Sequence, residues 1–132
     1  MKTRKVDKHF YLNYLKKAED FLKECEKAIE NKNWNSAVSL AIHSGICAAD
    51  ALCVFNLGER SSGESHEEFI QLINQIEIRN INVKIRQLSN LIALKNSAEY
   101  SESLMNEKDA LSAKQNAERF LSWIDFILKQ PG

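Results

Sequence analysis

The sequence predicts an all-α protein, an antiparallel bundle of four long helices plus one short helix. Three observations carry that prediction. Apolar residues recur at three- and four-residue spacing through most of the chain, which is the period of a helix face. No segment alternates apolar and polar residues as a half-buried strand does. One stretch, from Asn35 to Leu57, is apolar nearly all the way round and crowded with small residues: Ala37, Ala41, Ser44, Gly45, Ala48, Ala49 and Ala51. A helix apolar on every side is a buried one, and small side chains let neighbours approach closely. This segment is the expected centre of the bundle.

The elements follow in order. Residues 1–6 are expected to be a disordered basic tail ahead of a single domain over 7–130. From Asp7 to Asn31, Phe10, Tyr14, Ala18, Phe21, Cys25 and Ala28 form one helical stripe, widened by Leu15, Leu22 and Ile29. The lysines and carboxylates between them are a solvated face. Asn33 or Asn35 can cap the second helix, and Gly58 supplies the left-handed position on which helices often stop. Ser65 with Glu68 has capping-box spacing, so a short third helix is expected to start beside His66 and run to about Glu77. A fourth helix is expected over Val83–Met105. A fifth is expected over Glu107–Lys129, capped by Asn106, with Pro131 beyond its end. No internal repeat or low-complexity segment breaks this order.

At 132 residues the chain can bury a core without metal or disulfide staples. Its 18 Lys and Arg balance 18 Asp and Glu, so no bulk charge draws it to nucleic acid or membrane; a local patch remains open. The first residues, MKTRKVDK, are basic and polar, unlike a signal peptide. The longest apolar tract holds His43 and Asp50 and is read as packed by protein, so no membrane span is expected. Cys25, Cys47 and Cys53 are odd in number and none has C-x-x-C spacing. They read as reduced thiols in a cytoplasmic protein.

Few residues promise chemistry. Asp50 lies within ICAADALC, where a carboxylate is costly to bury unless paired. His43 lies seven residues earlier on the same face. Arg60 and His66 flank the polar loop beyond the helix end, and if that loop folds back, Asp50 can hold Arg60 or orient His66. A histidine at a helix N-terminus is biased toward the neutral imidazole and can take a proton from a hydroxyl. A guanidinium beside it can bind a phosphate. The plainer readings stand next to these: Arg60 as a solvated loop residue, His66 as a helix start, Asp50 paired with any neighbour such as Lys95, and His43 as a satisfied buried histidine. No Gly-rich phosphate loop, serine elbow or metal-ligand spacing appears, and no cofactor is expected. Trp34 and Trp123 read as core-edge residues. Arg79, Lys84 and Arg86 read as a modest basic surface.

Taken together, three segments resemble the HEPN superfamily (higher eukaryotes and prokaryotes nucleotide-binding domain). They are AVSLAIHSGICAADALCVFNLGERSSGESH, the run KNSAEY from Lys95 to Tyr100, and Ala117-Glu118-Arg119-Phe120. Arg60 and His66, with five residues between them, match the superfamily's pattern of an Arg and a His separated by four to six residues. The resemblance covers about residues 8–128. It implies a helical homodimer in which the Arg and His of two subunits face a shared cleft and cleave RNA without a metal. Such relatives are often toxins or defence nucleases encoded beside a nucleotidyltransferase-like antitoxin. Carried onto this chain, His66 is the proton-transfer group, Arg60 the phosphate binder and Asp50 an accessory residue, with Tyr100 a weaker candidate for the cleft wall. The small-residue helix and its following loop are expected near the two-fold contact. The rival reading is a non-catalytic HEPN-like interaction module that binds a protein or nucleotide partner through the same loop.

Overall fold

In a computed structural model, residues 2–62 and 66–129 are described, the side chains of residues 66 and 67 excepted. A strand β1 (Thr3–Lys5) and a 3-10 turn (Lys8–Phe10) lead into α1 (Tyr11–Glu30) and α2 (Trp34–Leu57). Strand β2 (Glu59–Ser61), α3 (His66–Asn74), α4 (Ile81–Ala93), α5 (Lys95–Glu99) and α6 (Glu107–Leu128) follow. The protein is all-α, with one two-stranded ribbon attached.

The helix α2 is the axis. Its small residues Ala37, Ala41, Ser44, Gly45, Ala48, Ala49 and Ala51 are all buried, against α1, α4 and α6. At Gly45 a Cβ would stand 2.9 Å from Leu91 Cδ1, so the missing side chain is what admits α4. Ser44 makes itself compatible with the core by donating to the carbonyl of Ala18 at 2.8 Å. By length and apolarity α2 could cross a membrane, yet 67% of its most apolar window is buried inside the fold, as in a core helix.

Two clusters give the direction of each helix. Cys25 and Ala28 of α1 share one with Ala37, Val38 and Ala41 of α2, Leu91 of α4, and Ala110 and Ala113 of α6. Leu15 and Ala18 share the other with Ala48 and Leu52, Ile85 and Leu88, and Phe120 and Ile124. Thus α1, α2, α4 and α6 run successively antiparallel. Burying an apolar side chain of this size stabilises by roughly 1.5–3 kcal/mol, which is ample reason for these four stripes to converge.

Helix ends follow local chemistry. Gly58 caps α2 at φ 67, in the left-handed region that costs a side-chain-bearing residue about 1–2 kcal/mol. Asn106 caps α6 with a reciprocal box, accepting from the Asp109 amide at 2.9 Å while Asp109 accepts from the Asn106 amide at 3.0 Å. Asn33 precedes α2 without a side-chain cap, and Asn35 instead accepts from the Met105 amide at 2.8 Å, tying the α6 approach to the start of α2. The expected Ser65 cap lies outside the described residues.

Three expectations are corrected. Residues 3–5 are not a disordered tail: they pair antiparallel with residues 59–61, in the register Thr3 with Ser61, Arg4 with Arg60 and Lys5 with Glu59. A three-residue strand is too short to show a period in sequence. The expected fourth long helix over Val83–Met105 is instead α4 and α5, parted at Leu94, with residues 100–106 non-helical. The short third helix ends at Asn74 rather than Glu77.

Candidate functional site at the end of helix α2

The site forms where three elements meet. Gly58 turns the chain off α2, and its carbonyl accepts from the Val6 amide at 2.9 Å. The following residues then lie along β1, and α3 packs on β2. That return path carries Arg60 back toward the last turns of α2.

Arg60 meets Asp50 there. Its Nε and Nη2 both donate to Asp50 Oδ2, at 3.3 and 3.0 Å. Asp50 is 2% exposed and Arg60 28%, so the carboxylate is sunk in the core while the guanidinium reaches the surface. Burial pushes the Asp50 carboxyl up to about 6, and the attraction of Arg60, Arg4 and Lys17 offsets only part of that. Burial opposes the charge on Arg60, but Asp50 more than compensates and holds it above its ordinary value. The pair is thus an arginine fixed in its charged form by an acid that pays heavily for its own charge. Asp50 Oδ1 and Ser61 Oγ are buried with no hydrogen-bond partner among the described residues.

Tyr14 of α1 completes the surroundings. The Arg60 guanidinium carbon lies 5.7 Å from its ring centroid, within reach of cation–π attraction. Lys17 Nζ lies 5.6 Å from the same ring, and Arg4 Nη2 donates to the Tyr14 hydroxyl at 3.4 Å. Neither Tyr14 nor the N-terminal cations were legible as site residues. The available signal is MKTRK, a basic run that reads from sequence alone as a tail.

The other sequence candidates fall elsewhere. His66 opens α3 in the chain segment directly after the ribbon; the position of its ring lies outside the described residues. His43 is not a buried histidine: its side chain is 42% exposed and its Nε2 lies 3.0 Å from Glu99 Oε1. Ser39 Oγ donates to the same oxygen at 2.8 Å. Lys95 does not take Asp50, whose partner is Arg60. Tyr100 is 74% exposed, and no described contact joins it to Arg60 or Asp50. Trp34 and Trp123 pack at the edges of the two clusters.

The three cysteines are free. Burial raises Cys25 and Cys47 to about 11 and Cys53 to about 12, so all three are inert thiols near neutrality. Among the described residues no group of three His, Cys, Asp or Glu side chains is placed to hold a metal ion.

An antiparallel helical bundle with an arginine-bearing loop returning over its central helix defines a class of fold. A profile of the HEPN domain matches residues 11–127, and the chain belongs to that family. The crystal structure of an archaeal HEPN homologue superposes with a TM-score of 0.68, at 19% identity over 90% of this chain and 98% of that one. At that identity the likeness concerns the fold. No curated protein matches the sequence.

Proposed function

We propose that this protein is a metal-independent endoribonuclease of HEPN type, acting as a homodimer in a toxin-like or defence role. The observation that carries the reading is the Asp50–Arg60 pair. A buried carboxylate holding one edge of a partly exposed guanidinium is how an enzyme fixes a charged group without filling the surface it must present. His66 follows at the start of α3, in the sequence order expected of the family's Arg and His.

In this mechanism His66 takes the proton of a ribose 2′-hydroxyl. The resulting oxygen attacks the adjacent phosphorus, and the bond to the 5′-oxygen breaks. The products are a cyclic 2′,3′-phosphate and a 5′-hydroxyl, the leaving oxygen gaining a proton. Arg60 stabilises the crowded phosphate as charge builds on its oxygens. Asp50 acts through Arg60 as a positioning residue.

The small-residue face of α2 is filled by its own bundle, which favours a dimer contact at the exposed end of that helix. At the site end, α2 presents Phe55, 40% exposed, and the exposed Asn56. A two-fold contact there brings the two Arg60 groups toward one cleft. A nucleotidyltransferase-like antitoxin would act by covering that cleft.

The test is cleavage of a mixed RNA pool in EDTA by wild type, Arg60→Ala and His66→Ala, with light scattering on dilution. Cutting that both substitutions abolish, by a dimeric protein, supports the reading. A folded wild type that cuts nothing makes the chain a binding module for a protein or nucleotide partner instead.

A further inference from the structure

We propose that the groove between β1 and α1, beside Arg60, holds the single-stranded RNA leading to the cleavage position. In it Arg4 and Lys17 bind phosphates and Phe10 stacks on a base. This assignment rests on the ribonuclease reading and names the substrate subsite of that same site.

The groove has a volume of about 530 Å³ and is lined by Arg4, Lys5, Asp7, Phe10, Tyr14 and Lys17 among others. Its one carboxylate, Asp7, is already occupied: His9 Nδ1 lies 2.7 Å from Asp7 Oδ1, and Asp7 is held below the usual carboxylate range by that contact. Lys5 stands opposite Glu59 in the ribbon, which leaves Arg4 and Lys17 as the groove cations with no acidic side chain in ion-pair contact among the described residues. A larger groove, about 730 Å³, lies along α6, but there Glu107 and Glu118 balance Lys108 and Lys114. Charge, not size, singles out the N-terminal groove.

The arrangement is also unfavourable without a ligand. In the ribbon Arg4 stands directly opposite Arg60, and like charges so placed destabilise a pair of strands. Arg4, Lys17 and Arg60 all gather about the ring of Tyr14, while Asp50 is the one buried carboxylate among the described residues. An anionic strand would relieve that excess. Phe10, 41% exposed, lines the same groove, with its ring 4.1 Å from that of His9. Alternating cations and aromatic rings suit a polymer of phosphates and bases, whereas an apolar protein surface would need a contiguous apolar patch.

The probe is a fluorescein-labelled 2′-O-methyl RNA of about 12 nucleotides, within the length of a single-strand site. Lacking the nucleophilic hydroxyl, it reports binding apart from cleavage. Anisotropy should show Arg4→Ala/Lys17→Ala weakening binding at least roughly 10-fold and flattening the log–log salt slope by about 1.4, two phosphate contacts' worth. Phe10→Ala should cost about 5-fold or more, the loss of one stacked base. Lys108→Ala/Lys114→Ala on α6 should change nothing. The groove side chains substituted are all exposed, so folding is preserved and circular dichroism confirms it. No binding by wild type, or equal binding by the groove variants, overturns the assignment. Cleavage that needs Arg60 and His66 but ignores the groove would sink the subsite and leave the ribonuclease; groove-dependent binding without cleavage would do the reverse.

Discussion

The helix α2 carries two side-chain pairs with a carboxylate, seven residues apart, and they are built in opposite senses. At Asp50 the acid lies on the helix, 2% exposed, and the partner is a loop arginine. At His43 the partly exposed member lies on the helix, and the more buried acid, Glu99 at 14%, comes from α5. Glu99 is also satisfied by Ser39, so that cluster is closed on itself and fastens α5 to α2. Asp50 answers one cation while Arg4 and Lys17 act on it without a bond. The His43–Glu99 pair is an attachment point; the Asp50–Arg60 pair leaves positive charge to spare. Ion pairs are weak guides to function by themselves, and the sum of charge around them is what separates these two.

That contrast can be broken most forcefully through pH. The Asp50 carboxyl sits near 6 in the fold against about 4 in an unfolded chain. Between those values the folded state binds the extra proton, so its stability is greatest below pH 4 and declines as pH rises through 6. About two units correspond to roughly 3 kcal/mol at most. Chemical denaturation of wild type against Asp50→Asn at pH 4 and pH 7 should reveal this as a difference between the two proteins, the variant lacking the decline. A variant that tracks wild type at both pH values would remove Asp50 as a costly charge.

The same substitution should lower RNA cleavage at pH 7 by roughly 10- to 100-fold, equivalent to about 1.4–2.7 kcal/mol, while leaving the fold intact. The mechanism is an Arg60 no longer held by charge, and the readout is the initial rate on native RNA. Wild-type activity should fall as pH drops below about 6 for the same reason. At the other pair, Glu99→Ala should cost about 1–2 kcal/mol of stability and speed amide exchange in α5, with cleavage unchanged. Loss of activity there would show that the two pairs are not separate. His43→Ala should cost less than about 1 kcal/mol in thermal unfolding, because its side chain is 42% exposed.

The helical core was legible because burial writes a period into sequence. The small-residue run of α2, its stop at Gly58 and the stripe Ala110, Ala113, Ala117, Phe120 and Ile124 are all where spacing alone puts them. Asp50 with Arg60 was one of several open pairings, since sequence separation does not say whether a loop folds back. Glu99 was missed because it lies in KNSAEY, a run with no apolar period of its own; Ser39 and His43, one turn apart, were the available hint. The break at Leu94 has no proline or glycine to announce it. The ribbon escaped notice because its hydrogen bonds are made by backbone, which every sequence has.

The ribbon also sets an order of events. It joins residues such as Arg4 and Arg60, 56 positions apart, through three residue pairs. Closing so long a span must await the α1–α2 hairpin, whose contacts bring the ends together. The ribbon is therefore expected to form late in folding and to open ahead of the bundle, which amide exchange of residues 3–5 and 59–61 would read. Each opening parts Arg4 from Arg60. The protein can thus be fully helical by circular dichroism while its site is unmade.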